Sequence, residues 1–92
     1  MSDYGPFKWD DAKAALKFAK HTVRFEVAIA AFADPNRVYI DVSRAADREV
    51  RLKAIGMIGG RLFTVVYTRR NETTRVISAR RSSIQEIRRY DR

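Results

Sequence analysis

Apolar residues recur at Ala12, Ala15, Leu16 and Ala19, the i, i+3, i+4, i+7 spacing of one helical stripe. Asp10 stands before the stripe as an N-cap, and Asp11 adds a carboxylate to the first turn, where the helix dipole favours it. Lys13, Lys17 and Lys20 fall on the other side, and His21 lies one turn beyond Lys17. The helix therefore presents a basic stripe that ends in the only histidine. Phe25, Ala28, Ile29 and Phe32 predict a second, short helix that stops before Pro35.

Strand signals follow. Arg37–Val42 is short and reads as an edge strand, and Val50–Ile58 alternates in part. Arg61–Arg69 is rich in Val, Phe, Tyr and Thr, which suit a pleated surface. Gly59-Gly60 between these two is a two-residue hairpin signal, since such turns need positive φ. A second connection around Asn71 leads to Thr74–Arg81. On that strand strict alternation puts Val76, Ser78 and Arg80 on one face and Arg75, Ile77 and Ala79 on the other. Ser82 with Gln85, and Ser83 with Glu86, offer two overlapping capping boxes for a C-terminal helix running to about Tyr90. The expected fold class is α+β: two N-terminal helices, a four-stranded antiparallel sheet and a C-terminal helix, in a single domain over residues 1–92. Its uncovered sheet face is then a working surface or a partner's seat.

Composition narrows the function. The chain has 46% hydrophobic residues, no cysteine and one histidine, so it reads as a folded domain with no disulfide framework, thiolate nucleophile or His-based metal site. No metal or other cofactor is expected. Nothing resembles a signal peptide or a membrane span, which points to the cytoplasm. The net charge of +8 is uneven: the last 24 residues hold eight arginines against three carboxylates. Arginine's planar fork binds phosphate bidentately, which favours nucleic acid or a carboxylate-rich partner over a merely solvated tail.

Phosphate-cradling and nucleophile-elbow motifs are absent, as is any carboxylate cluster for a divalent ion. Turn chemistry explains Gly56, Gly59 and Gly60. What remains is a metal-free constellation. His21 is the candidate general acid or base, against the plainer reading of a histidine favoured by a helix C-terminus. Arg80, with Arg61 on the neighbouring strand, is the candidate phosphate clamp, against two solvated edge residues. Glu86 is a candidate base or arginine-orienting group, or simply a capping-box carboxylate. Lys20, Arg81 and Tyr90 are the candidate substrate-binding residues. Trp9, Phe25 and Phe32 read as core.

Phe7-Lys8-Trp9-Asp10, Lys13, Lys20-His21, Phe32-Ala33-Asp34-Pro35, Gly60-Arg61-Leu62 and Arg75-Val76-Ile77-Ser78-Ala79-Arg80-Arg81, with Glu86 and Tyr90, follow one another as in the BrnT toxin family. The chain resembles that family collinearly over residues 7–90. The resemblance implies a RelE-like ribonuclease fold and a type II toxin that cleaves RNA and stops translation. It also implies an antitoxin partner of the BrnA kind, a ribbon-helix-helix protein through which operator DNA is bound. Lys17 and Thr22 depart from the family's usual asparagine and glycine, and Arg24 stands where a capping serine is common. Glycine after Lys-His reads as a left-handed helix end, which Thr adopts poorly. The alternative reading is a catalytically inactive, basic nucleic-acid-binding or co-repressor module.

Overall fold

The computed structural model describes residues 2–46 and 48–91. The chain enters through a hairpin: β1 (Ser2–Tyr4) turns at Gly5, φ +64°, into β2 (Phe7–Trp9). Helix α1 (Asp11–His21) follows, then a four-residue α2 (Phe25–Ala28) that tightens into a 3₁₀ segment over Ile29–Ala33. β3 (Val38–Asp41), β4 (Arg51–Ile58), β5 (Arg61–Arg70) and β6 (Thr73–Arg81) form an antiparallel meander, with α3 (Ile84–Tyr90) after it. β2 pairs in parallel with β6, setting Phe7 opposite Thr74 and Lys8 opposite Arg75. The result is a six-stranded mixed sheet in the order β1-β2-β6-β5-β4-β3.

This corrects the expected RelE-like plan of two N-terminal helices, a four-stranded antiparallel sheet and a C-terminal helix. The meander supplies four strands, but the hairpin ahead of α1 supplies two more, one of them parallel to its neighbour. Three-residue strands are too short to display a period of two, and their partner lies at the other end of the chain.

The core lies between one sheet face and the helical layer. Val65, Val76 and Ala79 meet Trp9, Phe25, Ala28 and Ala31, all nearly or fully buried. Trp9 and Phe25 pack edge to face at 5.7 Å. Gly56 is not a turn glycine. It sits inside β4, where a Cβ would lie 2.3 Å from the Ala31 carbonyl oxygen, so the 3₁₀ segment rests directly on strand backbone. Turn chemistry does account for Gly59 and Gly60, both at positive φ.

Asp10 caps α1 as expected, accepting from the Lys13 amide at 3.1 Å. The apolar stripe read from the sequence nevertheless faces away from the core. Ala12, Ala15, Leu16 and Ala19 are exposed, Leu16 to 71%, while Ala14, Lys17, Phe18 and His21 are half-buried. The helix begins two residues after Trp9 is anchored in the core, so β2 sets its rotation, overriding the weak amphipathicity of alanines. Thr22 ends α1 at φ 57°, ψ 24°, the left-handed conformation, and its hydroxyl donates to the His21 carbonyl at 2.6 Å. Arg24 provides no side-chain cap to α2. Its guanidinium instead lies 4.5 Å above the Phe18 ring.

Candidate functional site

The sheet face away from the core carries the polar chemistry. Cross-strand register builds it in rows: Ile55–Thr64–Arg80, then Lys53–Val66, then Arg51–Thr68–Arg75. Strict alternation puts Arg75 and Arg80 on opposite faces of β6, but a bulge corrects this. Val66 pairs with Ser78 and Tyr67 with Val76, leaving Ile77 as an extra residue. Val76 and Ala79 consequently both enter the core, and Arg75 shares the open face with Arg80.

Glu86 projects from α3 onto the first of these rows and is 3% exposed. Its carboxylate accepts five hydrogen bonds. Arg80 gives two, at 2.6 and 2.8 Å, Lys53 one at 2.7 Å, Thr64 one at 3.0 Å and the Ser83 amide one at 2.8 Å. The last belongs to the Ser83 capping box, the one of the two overlapping boxes that forms. Burial pushes the carboxyl's pKa up, but the Arg80 and Lys53 hydrogen bonds outweigh it and hold Glu86 well below the ordinary carboxylate range. A carboxylate has about four lone-pair sites, and these are saturated. Glu86 therefore orients Arg80 and is not equipped to take a proton from a substrate.

Arg80 retains hydrogen-bonding capacity. A guanidinium has five N–H donors, of which Glu86 and the Arg81 carbonyl engage three. His21, the last residue of α1, lies within the field of Arg80, Lys17 and Lys20. Partial desolvation comes first among the effects lowering its pKa below 6.5, and these three charges add to it. Its ring hydrogen-bonds to no other described residue, which leaves both nitrogens available.

The other expected site residues are not gathered here. Arg61 opens β5 beside the Gly59-Gly60 turn, three positions from Thr64, so alternation sets it on the opposite face from Arg80. It shares a separate depression with Arg81, which pairs with Phe63. Lys20 is exposed next to His21. The Tyr90 hydroxyl donates to Asp34 at 2.7 Å, and Asp34 also accepts from the Met57 amide at 2.7 Å and the Asn36 amide at 2.9 Å. Tyr90 thus fastens α3 to the 3₁₀ segment and β4.

Lys53 and Thr64 are absent from the sequence-based candidates, and Asp34 enters there only as part of Phe32-Ala33-Asp34-Pro35. A lysine between Leu52 and Ala54-Ile55 in a strand was a usable signal, because a charge in such company needs a partner. Asp34 carried one too, since Asp-Pro-Asn is a turn-forming string. Thr64 carried none.

A bonded but unsaturated arginine, a single imidazole and a lysine-lined rim on an open basic face suit a protein acting on a phosphate-bearing polyanion. The chain belongs to the family described as the ribonuclease toxin, BrnT, of type II toxin–antitoxin systems, whose family model matches residues 9–86. No curated protein matches it. It is thus a ribonuclease toxin with an antitoxin partner. No helix among the described residues is long and apolar enough to cross a membrane.

Proposed function

We propose that this toxin cleaves RNA internally and without a metal, by attack of a ribose 2′-OH on the adjacent phosphodiester. The observation that carries the reading is the fork by which buried Glu86 orients Arg80 while two of its donors stay unspent, with His21 at the end of the lysine-bearing helix α1. The lowered His21 pKa favours neutral imidazole near pH 7, the form that accepts the 2′-OH proton as O2′ bonds to phosphorus. The two remaining Arg80 donors meet the charge that develops on the phosphorane oxygens. The bond from phosphorus to the 5′-oxygen then breaks. That oxygen takes a proton from water, leaving a 2′,3′-cyclic phosphate and a 5′-OH. Lys17 and Lys20 hold the polyanion near the imidazole. Thr22 adopts the left-handed conformation a glycine would take there, which supports an active helix end despite the departure in sequence.

The cell-level reading is that such cleavage stops translation in the cytoplasm. A BrnA-like ribbon-helix-helix antitoxin neutralises the toxin and supplies the pair's contact with operator DNA. Induction of wild type, His21→Ala and Arg80→Ala in a bacterial host tests the chemistry. Growth arrest with new 2′,3′-cyclic ends, lost in folded variants, is expected. Unchanged cleavage in a folded His21→Ala variant removes the imidazole from the mechanism.

A further inference from the structure

The same open face has a second concentration of charge, set apart from Glu86. Arg51, Thr68 and Arg75 form its floor as one cross-strand row, and Lys13 of α1 forms one wall. The cleft holds about 380 Å³. The side chains of Arg51, Arg75 and Lys13 hydrogen-bond to no other described residue, in contrast to Arg80 and Lys53, which are tied to Glu86. Glu49 also lines the cleft, and its carboxylate is paired there with Arg70. Arg75 and Arg80 lie on one strand and one face, roughly 13–16 Å apart along β6. One phosphate cannot bridge that distance. A single strand laid across the face can present one phosphate to Arg80 and another, further along, to the cleft.

We infer that Arg51, Arg75 and Lys13 form a second phosphate subsite, which binds the RNA backbone remote from the bond that is cut. The inference rests on the reading of the open face as the site of RNA cleavage. It assigns the cleft to positioning: these cations touch the backbone, carry no base specificity and set how long a substrate must be. Lys13 and His21 lie on one side of α1, two turns apart, so the helix runs alongside the path that joins the two sites.

The test uses fully 2′-O-methylated oligoribonucleotides, which bind without being cut, in lengths from two to ten nucleotides. Arg51→Gln and Arg75→Gln retain the aliphatic stems, and a thermal melt checks that each variant folds. Each substitution is expected to weaken binding of the longer strands roughly tenfold at low salt, and to leave the dinucleotide unaffected. The double variant is expected to reduce the slope of log affinity against log salt by about 1.4, for two single-strand phosphate contacts. Unchanged affinity and slope in the folded double variant overturn the subsite, and so does an equal loss at every length. If the length-dependent loss appears but wild type cuts no unmodified RNA, the subsite stands and the nuclease mechanism fails.

Discussion

Arg80 and Glu86 are joined twice, Nη1 to Oε1 at 2.6 Å and Nη2 to Oε2 at 2.8 Å, in a side-by-side fork that fixes the guanidinium plane. The carboxylate is itself held by Lys53 and Thr64, so Arg80 is aimed from beneath by a buried network. Removing that carboxylate leaves two cations without their anion and deprives the Ser83 amide of its acceptor, the carboxylate half of the capping box. Glu86→Ala is expected to destabilise the fold by about 3–5 kcal/mol in urea unfolding. It is also expected to lower cleavage through disorder of Arg80, with Glu86→Gln recovering part of both.

The same network makes stability depend on acid. The folded-state pKa of Glu86 lies well below its ordinary 4.5, so the unfolded chain binds the proton more tightly. Its contribution is fully present above about pH 5–6 and drains away as pH falls below 4.5 toward the folded value. Urea midpoints measured from pH 7 to pH 3 are expected to fall through this window in wild type, and to fall less in Glu86→Gln.

A neutral imidazole as general base fixes the direction of a second pH effect. The acid limb of the cleavage profile is expected to have its midpoint below 6.5, because desolvation and the neighbouring cations disfavour imidazolium. Lys17→Gln and Lys20→Gln should each move the midpoint upward. A limb unmoved by both shows that some other group is titrating.

Thr22 holds a β-branched side chain at φ 57°. Glycine removes the Cβ conflict and forfeits the hydroxyl bond to the His21 carbonyl. Thr22→Gly is expected to raise stability by about 1 kcal/mol, with cleavage unchanged, as read by thermal melting beside a kinetic assay.

Tyr90 distinguishes a fastening role from a substrate-binding one. Tyr90→Phe loses a 2.7 Å hydrogen bond to a carboxylate and is expected to lower the urea midpoint. RNA affinity of the folded variant should match wild type. Weakened binding at full stability instead restores Tyr90 to the substrate path.

Much of the meander was legible because each cue was local. Asp10 and Ser83 cap helices by contacts within three residues, and Gly59-Gly60 joins adjacent strands. What escaped depended on distance along the chain. Phe7 meets Thr74 across almost the whole sequence, and α1 takes its rotation from that docking rather than from Leu16 and the alanines. Among site residues, His21 and Arg80 stood out as the only imidazole and as one of a cluster of arginines. Arg61 was paired with Arg80 because adjacent strands bring residues near, yet adjacency alone does not choose the face. Glu86 was visible as a cap, but its load of two cations required Lys53 from the far side of β5.

The extra residue at Ile77 has an evolutionary corollary. It acts as a parity change: residues before it and after it count alternation from different starting points. Loss of that one residue would swing either Arg75 or Arg80 through the sheet to the hydrophobic side, without altering either arginine. Relatives that retain both arginines but differ in length by one between them would thus look intact in a table of residues and be broken in space. Spacing across this stretch, more than residue identity, is the quantity that selection on the open face has to preserve.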